Sequence, residues 1–498
     1  MPESAPQLSR PPSADWPGGA SVAVVGGGIA GLAAAFLLRN AGLAVTVLEG
    51  SPRLGGKLAV SEVAGVPVDA GAEALLARRP EGTGLIADLG LSAALEVPGT
   101  TSAGIWTRGR VRPLPRRQFM GVPADFDDLA ATGIVSDPGI ARARQDRTLP
   151  ADVPGGDESV TSRVGGRLGP EVVDRLVEPL LGGVYAGRCD DLSFDATLPA
   201  LASAARGHAS LAEAAASLLP PAADWGRADA GRAAPPPVFT TLTGGLGTLP
   251  AALAAGSGAI IRTGAMVREL TRTAVGWRLT VGSAHAPEWL DADAVIIAVP
   301  ATPAGRLLAG AASGAGAAGR AATALAEIKY ASMAIVTLAY PVTAFGQAVT
   351  GSGFLVPAVD GRAVKAVTFS TVKWPHLRRD NPGVHLVRCS VGRLGEDAVL
   401  QRDDAELAAL AAADLADATG VRGDPVDVRV SRWGGGLPQY SVGHLDRVAA
   451  IRAAIGAVPG LAVCGAAYDG VGIPACIATA RLAVDQVLAY LSSGDGSG

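Results

Sequence analysis

The stretch from residue 21 to residue 57 constrains the fold of this chain more than any other part of the sequence. It reads SVAVVGGGIAGLAAAFLLRNAGLAVTVLEGSPRLGGK. The apolar run at 22–25 is typical of a buried parallel strand, and a helical segment at 32–38 follows a glycine-rich turn. A second strand, at 43–48, ends at Glu49. This order predicts a strand–helix–strand unit within an α/β fold.

The glycine-rich turn predicts a dinucleotide-binding site. Gly26, Gly28 and Gly31 fit the pattern G-x-G-x-x-G, in which the glycines permit a tight turn, the approach of a pyrophosphate and close packing of helix on strand. The helix N-terminus attracts phosphate, and Glu49 can accept hydrogen bonds from a ribose. With 66 glycines among 498 residues the pattern arises about once by chance, so the prediction depends on the flanking strands. The alternative is a purely structural turn.

Two further glycine-rich segments predict a bulky cofactor. Gly55 and Gly56, followed by Lys57, come just after the second strand, where the backbone can lie flat against a ligand and a cation can meet phosphate. Near the C-terminus, a short strand leads through Gly465 and a glycine-rich turn into a helix at 475–491. The sequence therefore predicts a second helix N-terminus at the cofactor. The alternatives are an ordinary loop and a C-terminal packing helix.

Composition excludes several classes of protein. The net charge of −4 argues against nucleic-acid binding. The four cysteines lack metal-ligand spacing and are too few for a disulfide framework, so we expect a reduced, cytoplasmic protein without a metal. Residues 1–19 are rich in Pro and Ser, show no signal peptide and are expected to be a disordered tail, as are residues 492–498. Prolines and glycines interrupt the longest uncharged stretch, 331–359, which argues against a transmembrane helix.

The rest of the chain predicts further sheets and a helical region. Residues 113–220 have a mainly helical pattern. Strand-like runs at 259–263, 267–272, 277–281 and 291–300 would extend the first sheet and make the nucleotide domain discontinuous. Runs at 331–340 and 363–369 indicate a separate sheet.

Four short segments carry a resemblance to a known family. They are VEPLLGGVYAG at 177–187, KWP at 373–375, RW at 432–433 with LPQYSVGH at 437–444, and YDGVGIPACI at 468–477. With the dinucleotide motif, they resemble the flavoprotein amine-oxidase superfamily and, within it, the FAD-dependent porphyrinogen oxidases of haem biosynthesis. The resemblance extends over nearly all of residues 20–491.

The resemblance implies three domains. A discontinuous Rossmann-like FAD-binding domain would combine residues 20–80, 238–310 and 430–491. A substrate-binding domain with a mixed sheet would combine 81–112 and 311–429. A helical domain at 113–237 would cover the mouth of the active site or face a membrane, which makes the fold α+β overall.

The resemblance also implies the contacts of a non-covalently bound FAD. The implied residues are Gly26, Gly27, Gly28, Ile29, Ala30, Gly31, Glu49, Gly50, Gly56, Lys57, Gly71, Ala72, Glu73, Ala74, Val267, Trp433, Gly465, Val471, Gly472 and Ile473. Gly50 departs from the family pattern, in which a small hydroxyl residue is common.

The implied reaction is the six-electron oxidation of coproporphyrinogen III to coproporphyrin III. It would proceed by hydride transfer to the flavin, with dioxygen as acceptor and hydrogen peroxide as product, and would require no catalytic side chain. His444 is expected to be structural. Arg79 and Lys373 would pair substrate propionates, or would otherwise be solvated surface cations. The alternative substrate is protoporphyrinogen IX.

Other functions stay open from the sequence. One is a flavin oxidase acting on amines or carotenoids, and another is a non-redox scaffold of the same fold. Peripheral contact at the inner face of the membrane and a partner enzyme of the haem pathway also stay open.

Overall fold

The computed structural model describes residues 19–151, 155–220, 237–311 and 316–493. The predicted disordered tails lie outside the described residues, apart from residues 19, 492 and 493. Within the described part, no helix is both long enough and apolar enough to span a bilayer.

Strands occur in most parts of the described chain. In chain order they are β1 (Ser21–Val25), β2 (Ala44–Leu48), β3 (Val60–Val63), β4 (Val66–Asp69), β5 (Leu75–Leu76), β6 (Leu95–Glu96), β7 (Gly104–Thr107), β8 (Arg110–Pro113), β9 (Gln118–Phe119), β10 (Val122–Pro123), β11 (Phe239–Leu242), β12 (Ile260–Arg262), β13 (Val267–Arg272), β14 (Trp277–Ser283), β15 (Ala286–Ala292), β16 (Ala294–Ile297), β17 (Tyr330–Pro341), β18 (Gly353–Leu355), β19 (Val364–Phe369), β20 (Val384–Val391), β21 (Asp427–Pro438) and β22 (Leu461–Val463).

The α-helices fill the intervals between them. They are α1 (Ile29–Leu38), α2 (Pro80–Asp88), α3 (Phe126–Thr132), α4 (Asp137–Arg144), α5 (Gly166–Leu168), α6 (Pro170–Val172), α7 (Glu178–Tyr185), α8 (Phe194–Thr197), α9 (Pro199–Ala205), α10 (Leu211–Ser217), α11 (Leu249–Ser257), α12 (Ala301–Ala311), α13 (Ala317–Ala326), α14 (Ser370–Lys373), α15 (Pro375–Asp380), α16 (Asp397–Leu400), α17 (Asp404–Thr419), α18 (His444–Gly456) and α19 (Ile473–Ser492).

A five-stranded parallel sheet forms the centre of the nucleotide-binding part. Its strand order is β12-β2-β1-β16-β22, and every neighbouring pair is parallel. Successive β1 residues serve opposite faces: Val22 and Val24 pack with α1 and α19, whereas Ala23 and Val25 pack with the layer on the other side. Because both faces are covered, the strand is apolar throughout, as the sequence predicted.

These five strands come from three separate stretches of the chain. They fall within 20–80, 238–310 and 430–491, the segments expected to form the FAD-binding domain. The prediction that all the strands after residue 258 extend this sheet is wrong in part. Strands β13, β14 and β15 form their own antiparallel sheet instead, since Val267, Leu270, Leu279 and Val281 bury one face against the neighbouring layer. The domain boundaries themselves stay a prediction.

A second, seven-stranded sheet is mixed, with the order β21-β17-β20-β19-β18-β7-β8. Only β18 and β7 are parallel within it. Helix α17 covers one face through Leu407, Ala411 and Leu415. Residues 430–438 were assigned to the FAD-binding domain, yet the structure pairs them with β17 as part of β21. Trp433 therefore reaches the nucleotide-binding part from the larger sheet.

The region from residue 113 to residue 220 is mainly helical and has its own core. Phe126, Leu129, Leu176 and Leu181 belong to this core, with many other apolar side chains. The region opens with the short hairpin β9–β10, and a π-helical turn at Val173–Val177 precedes α7.

Candidate functional site

The N-terminus of α1 forms the first wall of the site. Gly26 has a φ of +111°, and a Cβ atom there would lie 3.0 Å from the carbonyl oxygen of Ala298. A Cβ on Gly31 would lie 1.9 Å from the carbonyl oxygen of Gly26, so only glycine lets α1 approach β1. A Cβ on Gly28 would meet no atom within 4 Å. The backbone at Gly28 thus faces open space at a helix N-terminus, which fits a phosphate.

Glu49 is fixed beside this turn by the backbone. Its Oε2 accepts a 2.7 Å hydrogen bond from the N–H of Gly27, and its Oε1 accepts a 2.8 Å bond from the N–H of Ser51. Each carboxylate oxygen keeps a lone pair for a ribose hydroxyl. A Cβ at Gly50 would lie 2.7 Å from the terminal methyl carbon of Met266, so a larger residue here would require Met266 to move.

The Gly55–Gly56 segment lies directly against the first motif. The N–H of Gly55 donates a 2.8 Å bond to the carbonyl of Gly27, and a Cβ on Gly56 would lie 3.4 Å from the Cα of Gly28. The carbonyl of Lys57 in turn accepts a 3.1 Å bond from the N–H of Ala72. Burial lowers the pKa of Lys57, whose ammonium group would be stabilised by an anionic ligand.

The structure places the C-terminal glycine-rich segment next to the first one. A Cβ on Gly465 would lie 4.0 Å from the Cβ of Ala30, and the N–H of Gly465 donates a 2.9 Å bond to Thr479 in α19. Gly472 is the N-cap of α19 and has extended backbone, so the first turn of that helix keeps free N–H groups. Ile473 is buried and Val471 is half-buried. Both predicted helix N-termini therefore border one site.

Tyr440 and His444 support the turn before α19. The hydroxyl of Tyr440 donates a 2.7 Å bond to the carbonyl of Ala466 and accepts a 2.7 Å bond from the N–H of Gly470. The ring of His444 stacks on Tyr440, with centroids 3.8 Å apart, and its Nε2 lies 2.9 Å from the carbonyl oxygen of Tyr468. Burial raises the pKa of Tyr440 and lowers that of His444. These side chains hold the backbone and are remote from solvent.

Trp433 and Val267 approach the site from two different sheets. The indole N–H of Trp433 donates a 3.0 Å bond to the carbonyl of Ala70, and its ring lies against Gly71. Val267 is buried at the start of β13, shortly after Ala265, whose N–H donates to the carbonyl of Glu49. Both residues thus adjoin segments that carry implied FAD contacts.

Glu73 is held in a buried three-residue ion cluster. Its carboxylate accepts a 2.7 Å hydrogen bond from Lys373 and another from Arg388. Arg388 also donates a 2.6 Å bond to the carbonyl of Gly71. Burial alone would raise the pKa of Glu73, but Lys373 and Arg388 lower it to about 2. Arg388 escaped the sequence prediction, although a lone charge in the apolar strand VHLVRCSV is a recognisable signal.

The two residues expected to bind substrate propionates already have protein partners. Lys373 is bound to Glu73, and its ammonium also lies 4.9 Å from the centroid of the Trp374 ring. Arg79 makes two hydrogen bonds to Glu81, of 3.1 and 2.8 Å. Neighbouring Arg78 is exposed, and within the described residues it has no hydrogen bond or ion pair.

The described residues contain few other groups for covalent or metal chemistry. All four cysteines are buried free thiols. Within the described ranges, no group of His, Cys, Asp and Glu side chains is arranged to hold a metal ion. The site thus consists mainly of exposed backbone at two helix N-termini, with the carboxylate of Glu49 beside it, and this arrangement fits FAD.

The comparisons with known proteins agree on one family. The model of flavin-containing amine oxidoreductases matches residues 29–488. A protein of Mycobacterium tuberculosis named coproporphyrinogen III oxidase is 40% identical over 479 residues, which cover 95% of this chain and 98% of that protein. The protein of the same name from Bacillus subtilis is 32% identical over 488 residues, covering 95% of this chain and 98% of that protein.

A solved structure from Exiguobacterium sp. 255-15, provisionally named a protoporphyrinogen oxidase, superposes with a TM-score of 0.81. It is 30% identical in sequence, and the match covers 94% of this chain and 99% of the other. The predicted α/β fold, with its dinucleotide-binding part, is therefore confirmed.

Proposed function

The chain belongs to the flavin-containing amine oxidoreductase family, and we propose that it oxidises coproporphyrinogen III to coproporphyrin III in haem biosynthesis. The observation that carries this proposal is the 40% identity, over 95% of the chain, to a protein of Mycobacterium tuberculosis named coproporphyrinogen III oxidase. Likeness over nearly the whole length includes both glycine-rich walls of the site, not only the shared dinucleotide motif.

The residues of the site would hold FAD without a covalent bond. The α1 N-terminus and Gly28 would take the pyrophosphate, Glu49 the adenosine ribose, and the α19 N-terminus the negative charge that a reduced flavin carries. Trp433 and the backbone of residues 71–74 would border the cofactor, and Tyr440 would keep the turn before α19 in place. When bound, FAD supplies the hydride acceptor.

We propose that the protein supplies position and solvent exclusion but no catalytic base. His444, the last residue of the family segment at 437–444, is fully buried and bound to a backbone carbonyl. Pyrrole protons of the substrate would leave to solvent. Dioxygen is the proposed electron acceptor: three dioxygen molecules would accept the six electrons and six protons, giving three hydrogen peroxide.

We propose that the substrate's charge decides between the two porphyrinogens. Coproporphyrinogen carries four propionates, whereas protoporphyrinogen carries two propionates and two vinyl groups. A buried carboxylate without a partner is costly, so additional cations or solvent must receive the two extra groups. Since Lys373 and Arg79 have partners, exposed Arg78 is the cation of this segment that remains free among the described residues.

Protoporphyrinogen IX oxidation is the second candidate, favoured by the name of the Exiguobacterium structure. Parallel kinetics on the two substrates, at the same oxygen concentration and pH, separate the candidates. We expect a higher kcat/KM for coproporphyrinogen III. An equal or reversed ratio would favour protoporphyrinogen oxidation, and a purified protein without flavin absorbance would support the non-redox scaffold. A cytoplasmic location, peripheral membrane contact and a partner enzyme of the haem pathway stay predictions.

A further inference from the structure

A small polar cavity lies behind the loop at residues 70–74, which borders the proposed flavin site. Its walls include Asp69 at the end of β4, Glu73 on that loop, Ser370, Trp374 and His376 on the α14–α15 segment, and Arg388 on β20. About 20 Å³ of it is open to a water molecule. A single water needs about 10–15 Å³ by this measure, so the cavity has room for one.

Four of the residues that line the cavity have a polar atom without a protein partner. Within the described residues, the atoms are Ser370 Oγ, Trp374 Nε1, His376 Nδ1 and Arg388 Nε. Each of the four residues is more than nine-tenths buried. Buried polar groups are nearly always hydrogen-bonded, so four residues with such atoms in the lining of one cavity point to a ligand that bonds to them.

The charges around the cavity favour a neutral ligand. The carboxylates of Asp69 and Glu73 face the guanidinium of Arg388, and Lys373 binds Glu73 from outside the cavity. Two negative and two positive groups balance, which leaves no net attraction for an anion. The N–H groups of Trp374 and Arg388 are donors, whereas His376 Nδ1 and Ser370 Oγ can accept. Two donors and two acceptors match the hydrogen-bonding capacity of water.

Arg388 connects this cavity to the flavin-bordering loop. One terminal nitrogen donates to the carbonyl of Gly71 at 2.6 Å and the other donates to Glu73, whereas Nε is buried without a protein partner and the residue lines the cavity. Strand β20 is an internal strand of the seven-stranded sheet, paired on both edges, so the backbone of Arg388 is held rigidly. The same side chain thus reaches both the loop and the cavity.

We propose that this cavity binds one ordered water and that the water, together with Arg388, holds residues 69–73 in the conformation that binds the flavin. Arg388 is then a positioning residue, acting on FAD through Gly71 and Glu73. The inference rests on the proposed function in one respect: it requires that this loop borders FAD. It does not depend on which substrate is oxidised.

A crystal structure of the holoenzyme tests the water directly. We expect one water within hydrogen-bonding distance of at least three of the four atoms. A dry cavity would overturn the proposal. So would a halide ion there, which a bromide soak with anomalous diffraction would reveal.

FAD titration of the apoprotein tests the positioning role without any substrate. Arg388→Lys keeps the charge but cannot bond Gly71, Glu73 and the water together, so we expect about tenfold weaker FAD binding. Trp374→Phe removes the indole N–H together with the five-membered ring at a buried position, and should weaken binding several-fold. Arg362→Lys, in the loop before β19 and paired with Asp417, is the control for the arginine. Trp277→Phe, which makes the same ring truncation at a buried position of the separate β13–β15 sheet, is the control for the tryptophan.

Thermal unfolding of the apoproteins separates positioning from mere support of the fold. A lower melting temperature for Arg388→Lys with wild-type FAD affinity would refute the positioning role. If that variant does not fold, the holoenzyme structure and Trp374→Phe decide instead: wild-type FAD affinity in Trp374→Phe would refute the role of the water. An enzyme inactive on both porphyrinogens can still pass these tests, so failure of the proposed function is recognised separately.

Discussion

The ammonium group of Lys373 donates a 2.7 Å hydrogen bond to the carboxylate of Glu73, which lies 300 positions earlier in the chain. Both side chains are largely buried, with 16% and 13% of their surfaces exposed. This pair joins α14 to the loop at residues 70–74, which borders the proposed flavin site. Because Lys373 is paired with Glu73, it is not a free cation for a substrate propionate.

The Glu73 cluster predicts a specific dependence of stability on pH. The pKa of Glu73 is about 2 in the fold and 4.5 ordinarily, so its contribution is complete above about pH 4.5 and is lost as the pH falls toward 2. The shift corresponds to about 3 kcal/mol. We expect Glu73→Gln to be less stable than wild type at neutral pH, with a gap that narrows through this acid range. Urea unfolding at several pH values measures the gap.

Glu327→Gln is the control for that series, because Glu327 forms an exposed pair with Arg447. Its unfolding free energy should differ from wild type by less than about 1 kcal/mol. A gap between wild type and Glu73→Gln that stays constant from neutral to acid pH would contradict the lowered pKa of Glu73.

The buried charge of Lys365 should destabilise the fold, whereas the paired charge of Glu73 stabilises it. It is buried in β19 without a hydrogen-bond partner among the described residues, and burial lowers its pKa to about 7. The fold therefore binds fewer protons than the unfolded chain between about pH 7 and 10.5, so stability rises with pH across this window. We expect Lys365→Met to be about 2–4 kcal/mol more stable at pH 7, with a gain that shrinks toward pH 10. Denaturant unfolding checks this against Lys329→Met at an exposed site; a gain independent of pH would refute the explanation.

Glu49 should contribute to FAD affinity more than to stability. Glu49→Ala loses two charge-assisted hydrogen bonds to the ribose, which should cost about 2–4 kcal/mol, or roughly 30- to 1000-fold in FAD affinity. Titration of the apoprotein gives the dissociation constant, and Glu62→Ala, at an exposed position of β3, is the control. Wild-type affinity in Glu49→Ala would mean that this carboxylate does not contact the ribose.

The flavin should be released when the protein is denatured. The cysteines are completely or almost completely buried in the fold: Cys464 follows β22, and Cys476 lies in the first turn of α19 among apolar side chains. Burial raises the pKa of Cys476 to about 11, which disfavours the nucleophilic thiolate. After acid precipitation we expect the yellow colour in the supernatant. Colour that stays with the pellet would demonstrate a covalent flavin.

The sequence was sufficient for the β1–α1–β2 unit and its glycines. Each requirement there is local: Gly26 must adopt a positive φ, and Gly31 must let its own helix contact the preceding strand, within a few residues. The same holds for Gly470 just before α19, which has a φ of +145°, and where a Cβ would lie 2.7 Å from the Cβ of Ala475. Family likeness then supplied the cofactor, since the sequence alone indicated only a dinucleotide.

The tertiary structure alone decided where the charged side chains bind. Whether Lys373 faces substrate, solvent or Glu73 depends on how the seven-stranded sheet is placed against the loop at 69–74, and Arg388 reaches Gly71 across 317 positions of sequence. Likewise, β13–β15, which were expected from the sequence to extend the parallel sheet, pair among themselves. Periodicity specifies which face of an element is buried, whereas the choice of neighbour depends on the packing of distant segments and on the cost of leaving a buried charge unpaired.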